Sequence, residues 1–582
     1  MRARNCRGIL RHGMAVAAGA AAMAMAQAAS AEPAKNIILM ISDGAGFNAF
    51  KAASYFQFGQ LGMQAYDQAD WQKFAMTTYP LNLSSKPTGL GAGTVTYGNM
   101  VPGDTVKTLA YNPVDAWDAT PVNLVVPEYY LDANKQPVGP GSSGAFAGYN
   151  YVKSTWTDSA AAVTAMATGQ KTYNNALNWS DSPKDTGSPV LPTIVDIAES
   201  LGKATGTIST VQWAHATPAG MSNAHSISRN NYADLANQML NGNMEVIMGA
   251  GHPLYNDNNV IGPNEHPDPA KVKDGLADGQ DYQYVGGKNT WESLVNGTHA
   301  SGRTLIQTKT DFEALAAGTY NGGALPTKLV GTAQVFSTMQ YGRSATADWN
   351  GDGVFKPLEY ENFAQVTDWD GMYSPVNPGD DSAGDPFNSG VPSLATMAKA
   401  ALNVLDKNPN GFFLHIEGGA VDWAGHGNSK SRLIEEQIDF NKAVEAVVWY
   451  LDNNTNGNNW LNTLLIIAAD HETGLLWGPN SDTVAYEALV NNGAGVMPGM
   501  RFNTDNHTGT LVPLYARGAN ASMFSTFANG YDALAELHFG VGRYLDNTDV
   551  FRVMSAAVPE PTVLTGLVFG LAGLMLRRGR RV

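Results

Sequence analysis

The stretch Trp156-Thr157-Asp158-Ser159 leads into Ala160-Ala161-Ala162-Val163-Thr164-Ala165-Met166-Ala167-Thr168-Gly169 and sets one hydroxyl at the head of an alanine-rich run. Alanine favours helix, Asp158 suits the N-cap and Gly169 suits the stop. Ser159 then falls in the first turn, where free backbone N–H groups and the positive end of the helix dipole can receive an anion. A serine there could attack a phosphoryl group if something took its proton. By itself the stretch reads more simply as a capped helix start, because Asp-Ser ahead of alanine is common capping chemistry. The case for more rests on residues elsewhere.

Several apolar runs end in groups that could supply that chemistry. Asn36 to Ile41 is continuously apolar after its first residue and leads through Ser42 to Asp43-Gly44. Such a run suits a strand buried on both faces, as in a parallel sheet. A carboxylate at its C-terminal end sits where α/β sheets place ligands, although Asp-Gly is also a plain turn. Ala204 to Val211 reads as another strand, followed by His215, Thr217 and, further on, His225 and Arg229. His215 and Thr217 are two apart and would face one side of an extended segment. Arg229 offers a planar fork suited to phosphate, with a surface arginine as the bland alternative. His225 reads as a packing or capping residue.

Gly411 to Ile416 is a third strand and ends in Glu417-Gly418-Gly419. Asp422 and His426 follow four apart, so one helical turn would bring them together as zinc-type donors. His415 is expected on the other side of the strand, in packing. Thr463 to Ala469 is a buried strand that ends in Asp470-His471-Glu472-Thr473-Gly474, and Asn506-His507-Thr508-Gly509 precedes the strand Leu511 to Ala516. Helical patterns cover Pro192 to Leu201, Pro392 to Leu405 and Ser431 to Leu451. Three groupings of carboxylate and imidazole at strand ends are hard to assign to chance, because metal sites need this convergence.

Asp348, Asn350, Asp352, Gly353, Val354 and Glu359 follow the spacing of a calcium loop, with oxygen donors at positions 1, 3 and 5 and Glu at 12. Pro357 is unusual inside such a loop, and a plain Asp-Gly turn is the alternative. The loop falls in an acidic insertion at about 341–390. A second insertion, 76–150, is rich in Gly, Pro, Thr and Asn, and reads as short strands and irregular loops that could wall the cleft.

Of the 582 residues, 44% are hydrophobic and 15% charged, which indicates a globular chain long enough for one large domain with insertions. A formal charge of -16 argues against a nucleic-acid partner. Arg2, Arg4, Arg7 and Arg11, an apolar stretch from Met14 to Ala28 and Ala29-Ser30-Ala31 read as a secretory signal over 1–31. The only cysteine, Cys6, would leave with it, so the exported protein would have no disulfide. At the other end, Pro559-Glu560-Pro561 precedes an apolar run from Thr562 to Leu576 and the basic Arg577-Arg578-Gly579-Arg580-Arg581. The run is shorter than the roughly 20 residues that span a bilayer. The segment 558–582 resembles the PEP-CTERM sorting tail of exported Gram-negative proteins. That resemblance implies transient membrane contact before removal, with an ordinary single-span anchor as the alternative.

Taken in order, the segments 36–46, 157–173, 215–229, 411–426, 470–474 and 507–509 resemble the alkaline phosphatase family. The resemblance implies an α/β fold, a three-layer αβα sandwich around a large, mostly parallel sheet, over 32–557. It implies that Ser159 is the nucleophile and that Arg229 clamps two phosphate oxygens. Asp422, His426 and His507 would hold one zinc ion, and Asp43, Asp470 and His471 a second that also contacts Ser159. Asp43, Thr217 and Glu417 would hold magnesium. The implied activity is hydrolysis of small-molecule phosphate monoesters through a phosphoserine, by an exported protein that forms a homodimer. Two departures stand out. Thr217 and Arg229 are one residue further apart than the family pattern expects. His215 and Trp423 stand where some members carry an acid and a lysine, which would alter the third metal position and loosen product binding. The rival readings are a phosphodiesterase or sulfatase on the same metal core and a non-catalytic calcium-binding surface protein. The sequence lacks the sulfatase Cys/Ser-x-Pro-x-Arg motif at Ser159.

Overall fold

Asn36–Ser42 (β1) is buried at every position, as its unbroken apolar sequence requires. In the computed structural model, which describes residues 33–88, 109–122, 145–181, 189–261, 282–343 and 388–558 and the backbone of two short strand pairs, this strand lies inside an 11-stranded sheet. The other strands are Gln72–Thr77 (β2), Ala204–Gln212 (β3), Val246–Ala250 (β4), Thr304–Ile306 (β5), Leu329–Thr332 (β6), Phe412–Gly418 (β7), Thr463–Ala468 (β8), Val512–Gly518 (β9), Gly530–Tyr531 (β10) and Arg543–Asp546 (β11). Their spatial order is β10-β11-β2-β9-β8-β1-β7-β3-β4-β6-β5. All run the same way except β9, which sits antiparallel between β8 and β2, and the edge strand β10. The helices pack in two groups, Phe47–Phe58, Leu394–Leu405 and Lys430–Asn453 in one, Ser159–Thr168, Ile194–Ser200 and Thr548–Ala557 in the other. The result is the expected α/β sandwich around a mostly parallel sheet.

β1 pairs in parallel with β7 on one side and β8 on the other, with Ile41 opposite both Glu417 and Ala468. This register brings Asp43, Glu417 and Asp470 to one edge, beyond the C-terminal ends of three adjacent strands, where ligands bind in such sheets. The Ser159–Thr168 helix is buried along its whole length. Its cap is the expected one: Asp158 Oδ1 accepts from Ala161 N at 2.9 Å. Gly169 closes it at φ 71°, a left-handed conformation that glycine adopts without steric cost.

Two details differ from the sequence reading. β2 continues through Thr77, so the sheet extends past Met76, the expected start of the first insertion. That insertion also contains helices, Pro113–Ala116 and Ala147–Ser154. Tyr149, Tyr151 and Val152 of the longer one are buried against Leu475, Trp477 and Tyr486, so tertiary burial supplies the order that local propensity does not. The calcium-type loop (Asp348, Asn350, Asp352, Val354, Glu359), the signal segment and the sorting tail lie outside the described residues. Among the described residues no helix is long and apolar enough to cross a membrane.

Candidate active site and metal centre

Ser159 Oγ lies 3.0 Å from His471 Nε2. The same nitrogen is 3.2 Å from Asp470 Oδ2 and 3.4 Å from Asp43 Oδ1. Asp43, Asp470 and His471 form a group whose donor atoms all lie within 4.8 Å of one another, and Asp422, His471 and His507 form a second. His426 closes on the second, with its Nε2 3.5 Å from Asp422 Oδ2 and 2.9 Å from His507 Nε2. The helix Ala420–His426 sets Asp422 and His426 on one face, as their spacing implies.

The donor chemistry fits cations. His426 Nδ1 is 2.6 Å from the Asp505 carbonyl and His507 Nδ1 is 2.7 Å from the Thr157 carbonyl. A carbonyl only accepts, so both Nδ1 atoms carry a hydrogen, and in the neutral rings that ligate a metal both Nε2 atoms are bare. Two lone pairs 2.9 Å apart repel unless a positive charge lies between them. Asp43 Oδ1, Asp470 Oδ2 and Glu417 Oε1 are buried with no hydrogen-bond partner among the described residues. Leaving so many carboxylate oxygens dry is costly without a counter-charge.

The titration behaviour follows from the same crowding. Burial, and then the carboxylates of Asp470, Asp422 and Glu417, raise Asp43 well above the usual range. Burial and then Asp422 raise Asp470 to about 6. Burial, and then Asp470, raise Glu417 to about 7 against the hydrogen bond from Ser209. Burial also pushes Asp422 up, but His426 and His507 outweigh it and hold that carboxyl well below its ordinary value. Burial and then His507 keep His471 neutral, the form in which imidazole ligates a metal.

Thr217 Oγ1 donates to Asp43 Oδ2 at 3.4 Å. Glu417 accepts from Ser209 Oγ and also interacts with Asp43 and Thr217, so both residues of the third expected position lie against Asp43's group. Arg229 Nη1 meets Asp158 Oδ2 at 3.3 Å, and its Nη2 is 3.4 Å from His215 Nε2. The extra residue between Thr217 and Arg229 therefore does not carry the guanidinium away from Ser159's helix. Trp423 stands beside His215, with ring centroids 5.8 Å apart.

His215 and Thr217 do not share one side of an extended segment: His215 is the N-cap residue of a short helix, Ala216–Gly220, that contains Thr217. The helical turn sends Thr217 to Asp43 and His215 to Arg229. His415 is not on the opposite side from Glu417. Residues two apart in a strand share a face, and His415 and Glu417 contact Thr207 and Ser209, which are likewise two apart on β3. His415 is a buried layer beneath Glu417. His225 stacks on Trp179, a packing contact of the kind its sequence setting suggested. Sequence reasoning missed Thr473, whose hydroxyl contacts Asp422 and His471, and Asp158's second role as partner of Arg229. Proximity in sequence to His471 and Ser159 was the available signal.

A serine at a helix start, an arginine beside it and adjoining cation-type groups at strand ends are the parts of a metal-dependent ester hydrolase. The family model described as alkaline phosphatase matches residues 143–493, and the chain belongs to the alkaline phosphatase family; it is an enzyme of that kind. It is 25% identical over 427 residues to the alkaline phosphatase of Escherichia coli (strain K12), covering 69% of this chain and 74% of that one. Streptomycin-6-phosphate phosphatase of Streptomyces griseus is 28% identical over 429 residues, covering 69% of this chain and 78% of its own. Alkaline phosphatase 3 of Bacillus subtilis (strain 168) is 27% identical over 324 residues, 55% of this chain and 49% of that one. Among solved structures, a cold-active alkaline phosphatase from the psychrophile Shewanella sp. has a TM-score of 0.51 at 19% identity, covering 90% of this chain and all of that one. At that identity the likeness supports the fold.

Proposed function

We propose that the chain is an exported phosphomonoesterase of broad substrate range that works through a phosphoserine on Ser159. Asp422, His426 and His507 hold one zinc ion, Asp43, Asp470 and His471 the second, and Asp43, Thr217 and Glu417 a magnesium ion. When bound, such ions lower the pKa of a serine hydroxyl and offset charge on the entering and leaving oxygens. Ser159 Oγ bonds to phosphorus as the ester oxygen leaves with the alcohol. Water then breaks the bond between Ser159 and phosphorus. Arg229 orients two phosphate oxygens with its planar fork and is steadied by Asp158. The N–H groups at the start of the Ser159 helix face the same anion.

The observation that carries this reading is the 3.0 Å approach of Ser159 Oγ to His471 Nε2 at the junction of the two cation-type groups. Its test is metal analysis of the purified protein with turnover of p-nitrophenyl phosphate and its bis ester, before and after chelation. Two zinc ions per chain, monoester preference and loss of turnover on chelation are expected. Faster cleavage of the bis ester, or turnover indifferent to chelation, overturns it. Residues 1–31 act as an export signal, 558–582 as a sorting tail and 348–359 as a structural calcium loop; the basic, apolar and acidic patterns in those stretches support this. Mass spectrometry of the exported protein should find termini near Glu32 and upstream of Thr562.

A further inference from the structure

Thr473 takes no part in the reaction as derived, yet its hydroxyl touches both halves of the site. Its Oγ1 lies 2.5 Å from Asp422 Oδ1 and 3.3 Å from His471 Nδ1. A carboxylate oxygen only accepts, so the single hydroxyl hydrogen goes to Asp422. Oγ1 can then only accept from His471, and the ring hydrogen of His471 must sit on Nδ1. That leaves Nε2 bare, and Nε2 is the atom that faces Ser159, Asp470 and Asp43.

The backbone fixes the hydroxyl in place. Thr473 N donates to Gly44 O at 2.9 Å, immediately after Asp43, and Thr473 pairs with His507 in a short antiparallel ladder. The residue is 2% exposed. Its methyl has a separate duty: a Cβ built on Gly425 would come within 2.9 Å of Thr473 Cγ2, so the methyl packs against the helix that carries Asp422.

We propose that Thr473 is a positioning residue whose hydroxyl fixes the tautomer of His471 and the orientation of Asp422 together, and so sets the zinc affinity of two adjoining positions. The proposal rests on the metal reading above. Partners of this kind, behind the ligands themselves, hold rings and carboxylates in ligating geometry.

Thr473→Val keeps the branched shape and removes the hydroxyl, whereas Thr473→Ser keeps the hydroxyl and removes the methyl. Zinc affinity of full-length wild type and variants is measured by chelator competition, with the melting temperature of the stripped proteins as a check of folding. The valine variant should bind zinc about 10- to 100-fold more weakly, and the serine variant should stay close to wild type. Thr473→Ala, which adds no bulk, must show the same loss and replaces the valine variant should that not fold. Wild-type affinity in the valine or alanine variant overturns the proposal, as does an equal loss in the serine variant, which would assign the effect to shape. A wild-type protein that takes up no zinc overturns the metal reading itself, and this proposal with it.

Discussion

Asp158 holds Arg229 while capping the helix that begins at Ser159. One carboxylate oxygen meets the guanidinium at 3.3 Å, and the other accepts from Ala161 N at 2.9 Å. The residue before the serine therefore fixes both the serine's helix and the group that would grip the phosphate. Any motion of Arg229 is referred to the same turn that positions the hydroxyl.

Asp158→Asn separates these two duties. The amide oxygen can still cap Ala161, so stability should change by no more than about 1 kcal/mol. The ionic hold on Arg229 is lost, and ordering the arginine then has to be met when phosphate binds. Inhibition by inorganic phosphate should weaken several-fold. An unchanged inhibition constant would show that Arg229 is positioned by something else.

Ser159→Ala should abolish monoester turnover by on the order of 10³-fold or more while leaving metal content intact. Ser159 touches His471, but each proposed zinc position keeps three carboxylate or imidazole donors without it, Asp43, Asp470 and His471 at one and Asp422, His426 and His507 at the other. Turnover and zinc content measured on the same preparation check this. Persistent serine-independent turnover would return the chain to the rival classes of metal-dependent hydrolase.

The strands and their ligand-bearing ends are legible in the sequence because burial on both faces demands unbroken apolar runs, and the carboxylates stand out where those runs stop. The Ser159 helix is legible for the same kind of reason, with a cap, an alanine run and a glycine stop. What is not legible depends on local turns and on the far ends of side chains. The chain after Gln212 turns into a short helix and not an extended segment, so His215 and Thr217 part company. The hydroxyl of Thr473 becomes meaningful only when Asp422, 51 positions away, is folded against it. The embedded antiparallel β9 is buried from Val512 to Ala516 much as β8 beside it is from Thr463 to Ala468, so direction could not be read from pattern.

The metal-free protein should lose stability between pH 6.5 and 8. Burial raises Glu417 and Glu472 from 4.5 to about 7 and, with Asp439, raises Glu436 to about 8. A folded carboxylate with a raised pKa binds more protons than the unfolded chain between the unfolded value of 4.5 and its folded value, so stability falls as pH climbs toward 7 for Glu417 and Glu472 and toward 8 for Glu436. His215 and His415, lowered to about 3 by burial, and His252, lowered to about 4, act in the opposite sense, but only below their unfolded value of 6.5. Lys51, Lys153 and Lys203, lowered by burial to about 8, add stability only at higher pH. A cation held by Glu417, as proposed, would keep that carboxylate ionised, so the decline should be shallower with metal. Calorimetry of stripped and reloaded protein at pH 6.5, 7.2 and 8 decides it; a melting temperature of the stripped form that rises across this window would contradict the carboxylate account.

His215 and Trp423 stand beside Arg229, the group proposed to grip the phosphate, and bring no second cation to it. Arg229 Nη2 can only donate, so His215 Nε2 accepts, and His215 Nδ1 is buried without a partner among the described residues. Burial and then Arg229 hold His215 neutral, at about 3. Trp423, packed between His215 and Tyr341, brings no charge at all. Replacing both, His215→Asp with Trp423→Lys, adds a carboxylate and an ammonium that can pair with each other beside Arg229. The added cation should then tighten phosphate inhibition by about tenfold, roughly 1.4 kcal/mol. His215→Asp alone should do the reverse, because an unpaired carboxylate competes with phosphate for the guanidinium. The two changes must therefore be non-additive, as expected for side chains in contact. Inhibition constants for wild type, both single variants and the double variant complete the cycle. Equal phosphate affinity in all four proteins would mean that neither ring governs how firmly the product is held.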